Sequence, residues 1–368
     1  MDRLEKIRIQ GFKSIKDQEL DIRPINVLIG SNGSGKSNFI GAFMLLREIT
    51  EGHLSRFVKT KGGAERLLHF GSKVTEEIRL HAWFNDSVDQ YEISLEPSSA
   101  DELLPIDEYA YFWNKSYPSP LRKRMPSFGE EAAISQSASS GVESYVKTAL
   151  KSWRVYHFHD TGTASPMKKV AEIDDNRFLR PDGSNLAPFL YLLQIEYPDE
   201  YNFLNKTIKK IAPFFDKFVL EPRALDETTI RLEWLHKGSD SYFDVSDFSD
   251  GTLRFIALAT LLLQPKKLKP SIILLDEPEL GLHPAAITVL GAMIRQAAEE
   301  ASIIISTQSP FLLDLFEPNE VVVVDRKDGA SIFTRLDAES LSGWLQDYSL
   351  GELWEKNEIG GRPSGNQL

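Results

Sequence analysis

Hydrophobic positions along the chain change period several times, and each change marks an element. Leu4, Ile7, Ile9 and Phe12 roughly alternate with polar residues, Leu20 and Ile22 follow, and Ile25 to Ile29 is nearly continuous and apolar. This pattern predicts short strands feeding one buried strand. Past Lys36 the period lengthens. Phe39, Ile40, Phe43, Met44 and Leu46 make a helical stripe suited to packing on a sheet. Gly62-Gly63 breaks the segment that follows. The runs 78–84 and 91–95 flank Asn85-Asp86 and read as an antiparallel pair. Residues 97–152 are punctuated by Pro105, Pro118, Pro120 and Pro126 and by a small polar cluster from Ser135 to Ser140. They predict an insertion with a mobile loop, in which Arg122-Lys123-Arg124 is a solvated basic run.

Farther on, 153–160 predicts a strand closing at Thr161-Gly162, with His157 and His159 on one face. Asp160 beside them makes a metal site conceivable, but no third ligand stands at a suitable spacing. Residues 185–215 are helical, with Lys206, Lys209 and Lys210 on the wet face. Short strands return at 219–220 and 230–235. An apolar helix at 253–263, a buried strand at 272–275, a helix near 285–299 and buried strands at 303–306 and 321–324 complete the pattern. Strands alternating with helices predict a parallel sheet. The division expected is an N-terminal nucleotide lobe over 1–96, a mixed and helical insertion over 97–215, a second lobe over 216–330 and an extension over 331–368. Its glycine-rich end, 360–368, is expected to be disordered.

Chemistry enters where the first buried strand ends. Gly30-Ser31-Asn32-Gly33-Ser34-Gly35-Lys36-Ser37-Asn38 joins that strand to the first helix. Glycines let the backbone curl so that several N–H groups face one anion, and the helix start adds its positive dipole end. Lys36 reaches β- and γ-phosphates and the Ser37 hydroxyl ligates Mg²⁺. The segment therefore predicts a nucleoside-triphosphate site. A second signal is Ile272-Ile273-Leu274-Leu275-Asp276-Glu277, two carboxylates at the C-terminal end of a buried strand, where open α/β sheets bind ligands. Asp276 is placed for the Mg²⁺ shell and Glu277 for polarising the attacking water. The third is Phe248-Ser249-Asp250-Gly251-Thr252, a polar turn that opens the apolar helix, with Ser249 as a candidate cap.

Composition narrows the surroundings. The 368 residues contain no cysteine, which removes disulfides, thiolate metal sites and cysteine nucleophiles and fits a reducing cytoplasm. Net charge is −12, against a broad basic nucleic-acid face, though a local patch stays open. The first six residues do not read as a signal peptide, and no apolar run reaches the ~20 residues of a membrane span.

The order of phosphate loop, serine–glycine helix start, strand-Asp276-Glu277-Pro278 and Ser306-Thr307-Gln308-Ser309-Pro310 resembles the ABC-type ATPase head of structural-maintenance-of-chromosomes (SMC) proteins, RecF-like proteins and predicted ATPases of antiphage defence loci. Gly11-Phe12-Lys13-Ser14-Ile15 is similar to the same group. Tyr156 to Thr161 and Asp182-Gly183-Ser184-Asn185-Leu186 resemble a stand-alone bacterial branch. The fold implied is an α/β ABC-type P-loop ATPase head with a β-rich N-terminal lobe, a parallel-sheet core and a helical insertion.

The resemblance also implies two copies sandwiching two ATPs. Gly30, Asn32, Gly33, Ser34, Gly35, Lys36, Ser37, Asn38 and Lys13 would hold nucleotide in cis; Ser249 and Gly251 would meet the γ-phosphate in trans. Ser37 and Asp276 would hold Mg²⁺, Glu277 and Gln308 would serve catalysis, and Glu279 to Pro284 would cross the dimer interface. Two departures stand out. Asp250 replaces the first glycine of the usual signature, and Gln308 replaces a switch histidine and cannot carry a proton. Both imply slow or partner-gated turnover. The glutamine loop of the group finds no place in this sequence. No sustained heptads separate the phosphate loop from Ser249, which argues against a long coiled-coil arm. The little sequence after 325 argues against a C-terminal nuclease domain, so an effector would be a separate chain. The function implied is a dimerising ATP switch controlling such an effector in antiphage defence. Alternatives are a RecF-like repair ATPase that binds DNA directly and a poorly hydrolysing nucleotide-bound scaffold.

Overall fold

The computed structural model describes residues 3–126, 129–137 and 141–362. Its centre is a six-stranded sheet. The strands, in order, are Ala330–Arg335, Val321–Lys327, Ile25–Ile29, Ser302–Thr307, Ile272–Asp276 and Trp153–Tyr156. All neighbours are parallel except the first pair. Alternate residues of these strands enter two different cores, as the two-residue repeat of a strand requires. Val27, Ile29, Ile273, Leu275, Ile303 and Ile305 join one core. Leu28, Ile272, Leu274 and Ile304 join the other. A sheet buried on both faces explains why these strands read as unbroken apolar runs.

The first core is closed by helices Leu186–Glu196, Pro198–Ile211, Asp250–Leu263 and Pro284–Ala298. The second is closed by the phosphate-loop helix Lys36–Glu51 and by an antiparallel sheet. That sheet runs Ile15–Asp21, Leu4–Phe12, Ile78–Phe84, Asp89–Pro97, Leu103–Phe112 and Leu121–Arg124. The turn at Asn85, Asp86 and Ser87 has positive φ at all three residues, which is how the chain reverses between two of these strands.

Residues 97–152 differ from the expected irregular insertion. Leu103–Phe112 pairs with Asp89–Pro97 along its whole length, and Leu121–Arg124 pairs with it in turn. Helix Val142–Lys151 puts Val146, Ala149 and Leu150 into the core beside Lys36–Glu51. The prolines misdirect because Pro105 lies at a register shift in the strand, where a missing N–H costs little. The basic run is an exposed edge strand rather than a loop. Lys123 pairs with Glu143, Arg124 with Asp107, and Arg122 stacks on Tyr109. Part of the polar cluster, 138–140, lies outside the described residues.

The chain's end also departs from expectation where it is described. Gly361 accepts a hydrogen bond from Ser31 N–H at 2.6 Å and donates one to Asp325 at 2.9 Å. Gly360 and Gly361 are therefore ordered against the phosphate loop. The remainder of the expected disordered tail, 363–368, lies outside the described residues. Among the described residues no helix is long and apolar enough to cross a membrane.

Candidate functional site

The parallel strands Ile25–Ile29, Ser302–Thr307 and Ile272–Asp276 end on the same edge of the central sheet, and the sequence motifs sit at those ends. Register places Thr307 opposite Ile29 and Ser306 opposite Asp276. Gln308, Gly30 and Glu277 thus leave neighbouring strands side by side.

The phosphate loop closes as its glycines allow. Gly33 and Gly35 have φ of 78° and 116°, and nothing lies within 4 Å of where a Cβ on Gly33 would stand. A Cβ on Gly30 would meet the Val324 carbonyl, and one on Gly35 would meet Ser331 and Ser14. So one side of the loop packs against protein and the other opens as a cradle. Helix Lys36–Glu51 starts with no side-chain cap, which leaves its first N–H groups available to an anion. Ser37, in the first turn, is exposed. Lys36 Nζ donates to the carbonyls of Gly30 and Ser31 at 2.6 and 3.1 Å. Burial lowers its pKa, while the nearby carboxylates of Glu277, Asp276 and Glu279 pull the other way.

Buttresses hold the loop from behind. Asn38 donates to Ser14 Oγ at 2.7 Å. Ser331 Oγ–H reaches both Ser14 Oγ, at 2.7 Å, and the Ser34 carbonyl, at 2.5 Å. Lys13 stands in the same turn as Ser14, with φ of 49°, and burial followed by Lys61 lowers its pKa. Ser331 was not anticipated from the sequence. Its partner Ser14 is 317 residues away, and no local pattern encodes such a contact.

The acidic pair is held with equal definition. Ser306 Oγ–H donates to Asp276 Oδ1, and Glu277 N–H donates to the Ser306 carbonyl at 2.8 Å. Glu277 has φ of 42°, a left-handed conformation that costs a non-glycine residue about 1 kcal/mol or more and concentrates at functional sites. Gln308 Nε2–H donates to Glu277 Oε1 and, at 2.8 Å, to Asn32 Oδ1. One amide therefore ties the rim of the phosphate loop to the carboxylate at the end of the adjacent strand. Thr307 Oγ1–H donates to Glu279, whose pKa is raised chiefly by burial.

Ser249 and Gly251 occupy another part of the surface. Ser249 caps helix Asp250–Leu263, accepting from Thr252 N–H at 3.2 Å. Asp250 turns outward, its side chain 68% exposed and 3.9 Å from Lys168. Gly251 lies against the chain's own Gly281, whose carbonyl would stand 2.5 Å from a Cβ at 251. Arg254, one turn further along the same helix, donates to Phe158 O at 2.9 Å, His159 O at 3.0 Å and Leu280 O. It pins two loops to the helix, a role with no sequence signal. The conceivable histidine site also changes. His157 and His159 do converge, but with Asp276 rather than Asp160.

A family model described as "AAA domain, putative AbiEii toxin, Type IV TA system" matches residues 25–314. The Old nuclease of Escherichia phage P2 is 24% identical over 373 residues, covering 92% of this chain and 62% of that protein. The Septu protein PtuA of Bacillus mycoides is 22% identical over 334 residues, covering 87% of this chain and 40% of that protein. The chain thus spans less than two thirds of either relative. Among solved structures, an Smc head bound to the C-terminal winged-helix domain of ScpA superposes with a TM-score of 0.62 at 17% identity. It covers 93% of this chain and 99% of that one. An Smc head with an extended coiled coil, bound to the C-terminal domain of ScpA from Pyrococcus furiosus, gives 0.57 at 16% identity, covering 94% and 99%. At those identities the likeness is one of fold.

Proposed function

Because the chain belongs to this AAA-domain family, as an ABC-type ATPase of the SMC- and Old-like kind, we propose that it binds ATP with Mg²⁺ and hydrolyses it as a dimerising switch. The observation that carries this reading is the Gln308 amide bridging Asn32 of the phosphate loop and Glu277 at the end of the neighbouring strand.

The residues present fit a nucleotide and its metal. The open side of Gly33, the uncapped helix start and Lys36 form a cradle for phosphates. Lys36 exchanges its two carbonyl partners for β- and γ-phosphate oxygens. Lys13 flanks the cradle. The Ser37 hydroxyl and Asp276, oriented by Ser306, would hold Mg²⁺, which would supply positive charge to offset that of the triphosphate. Glu277 accepts a hydrogen bond from, and polarises, the attacking water. Gln308 keeps that carboxylate aimed at the rim, but its amide does not titrate and cannot serve as a general acid or base. Ser249 and Gly251 of a second copy cover the γ-phosphate, so ATP favours the dimer and hydrolysis releases it. The outward carboxylate of Asp250 beside that surface supports slow, partner-gated turnover. A separately encoded effector in an antiphage defence setting is the partner this reading assigns.

Light scattering with and without ATP tests the switch. Lys36→Ala loses nucleotide binding. Glu277→Gln keeps binding and accumulates as a dimer; a Glu277→Gln protein that stays monomeric at saturating ATP overturns the sandwich. Ser249→Arg abolishes turnover while each copy still binds ATP, and normal turnover in that variant removes the trans role.

A further inference from the structure

The strand Trp153–Tyr156 runs parallel to Ile272–Asp276, with Tyr156 opposite Leu275. The next residue of each, His157 and Asp276, therefore emerge together on the edge of the sheet that carries the phosphate loop. His159, two residues on, returns to the same side. One ring nitrogen of His157, one of His159 and one carboxylate oxygen of Asp276 all lie within 4.8 Å of one another. Among the described residues no other three histidine or acidic side chains converge in this way.

We propose that His157, His159 and Asp276 form a binding site for a divalent transition metal of the manganese-to-zinc series. Two nitrogen donors and one carboxylate match the preferences of these ions, whereas Mg²⁺ prefers oxygen ligands throughout. Metal–ligand bonds of about 2.0–2.2 Å place donor atoms roughly 3–3.5 Å apart, so binding requires the three side chains to close on the ion from the 4.8 Å within which they lie here. Three protein ligands leave positions open for water or a phosphate oxygen.

The frame behind the donors is firm. His157 N–H donates to Pro181 O at 3.0 Å, and Arg254 holds the carbonyls of Phe158 and His159. Ser306 orients Asp276 from the opposite side. Neither imidazole makes a side-chain hydrogen bond with another described residue, so both rings keep donor atoms free for an ion. The two rings stand 6.2 Å apart and tilted by 36°. Arg254 belongs to the helix that Ser249 caps, so an ion here sits on a loop fastened to the proposed partner-facing surface.

The site rests on the proposed ATPase reading only through Asp276, and the two fail separately. Tag-free full-length protein without nucleotide is titrated with Co²⁺, Mn²⁺, Zn²⁺ and Mg²⁺ by calorimetry, and the Co²⁺ complex is followed by visible absorption. One Co²⁺ per chain is expected, with a ligand-field band and at least about 100-fold tighter binding than Mg²⁺. His157→Ala and His159→Ala each weaken Co²⁺ about 10- to 100-fold, and His157→Asn, which keeps the polar volume, does the same. Ser37→Ala leaves Co²⁺ binding intact. Thermal unfolding confirms that each variant is folded. Absence of the band, or Co²⁺ affinity unchanged in both alanine variants, overturns the site. ATP affinity measured on the same samples tests the nucleotide reading independently: protein that binds ATP but no Co²⁺ refutes only the metal site.

Discussion

At the scale of single residues, the candidate site is built from groups whose positions carry a cost. Glu277 takes a left-handed backbone, and Glu279 is a largely buried carboxylate with one oxygen lacking a hydrogen-bond partner among the described residues. Burial raises the Glu279 pKa. The unfolded chain has no such burial, so the native state holds its proton to higher pH. Below the ordinary carboxylate value, about 4.3, the group is neutral in both states and costs nothing. As pH rises through the raised native value, the native state must bury a charge and stability is lost. Glu279→Gln keeps the acceptor for Thr307 and removes that charge. Chemical denaturation is expected to show the variant more stable than the parent at pH 8, with the difference vanishing near pH 4. An equal difference at both pH values contradicts the assignment. Of the residues at this scale, Lys36, Ser37, Asp276 and Glu277 were legible in the sequence because each belongs to a short contiguous motif. Ser331, Arg254 and the His157–Asp276 convergence were not, because their partners lie in other parts of the chain.

At the scale of elements, the helix Asp250–Leu263 joins the most features. Ser249 caps it, Gly251 lets it approach the Gly281 loop, and Arg254 fastens it to the carbonyls of Phe158, His159 and Leu280. Its cap was readable from the polar turn before an apolar run. The reason for its glycine was not, since the close approach is to a residue on another loop. Gly251→Ala drives a methyl group into a backbone carbonyl, which cannot rotate away. A loss of about 1–3 kcal/mol is expected in denaturant unfolding of the monomer. Ser249→Ala costs about 1 kcal/mol through the lost cap. A Gly251→Ala protein as stable as the parent assigns the glycine to contacts outside its own chain.

At the scale of the whole molecule, two cores meet across one central sheet, and the candidate site lies on the edge where its parallel strands end. The chain's far end reaches back to that edge. Gly361 is bonded to Ser31 and to Asp325, and a groove of about 460 Å³ lies between this segment and the phosphate loop. Asp325→Ala frees Gly361 from one of these bonds. Faster amide hydrogen exchange at Ser31 is the expected result, and unchanged exchange there shows that the segment does not brace the loop. The sequence by itself determined the order of the central strands' motifs, the phosphate loop and the alternation of strands with helices, because continuous apolar runs and contiguous glycine, lysine and carboxylate motifs are local signals. It did not determine that 97–126 extends the N-terminal sheet, that Gln308 joins Asn32 to Glu277, or that two histidines meet Asp276. Pairing across a sheet and contacts between strand ends depend on register, and register is set only when the two cores close on the central sheet.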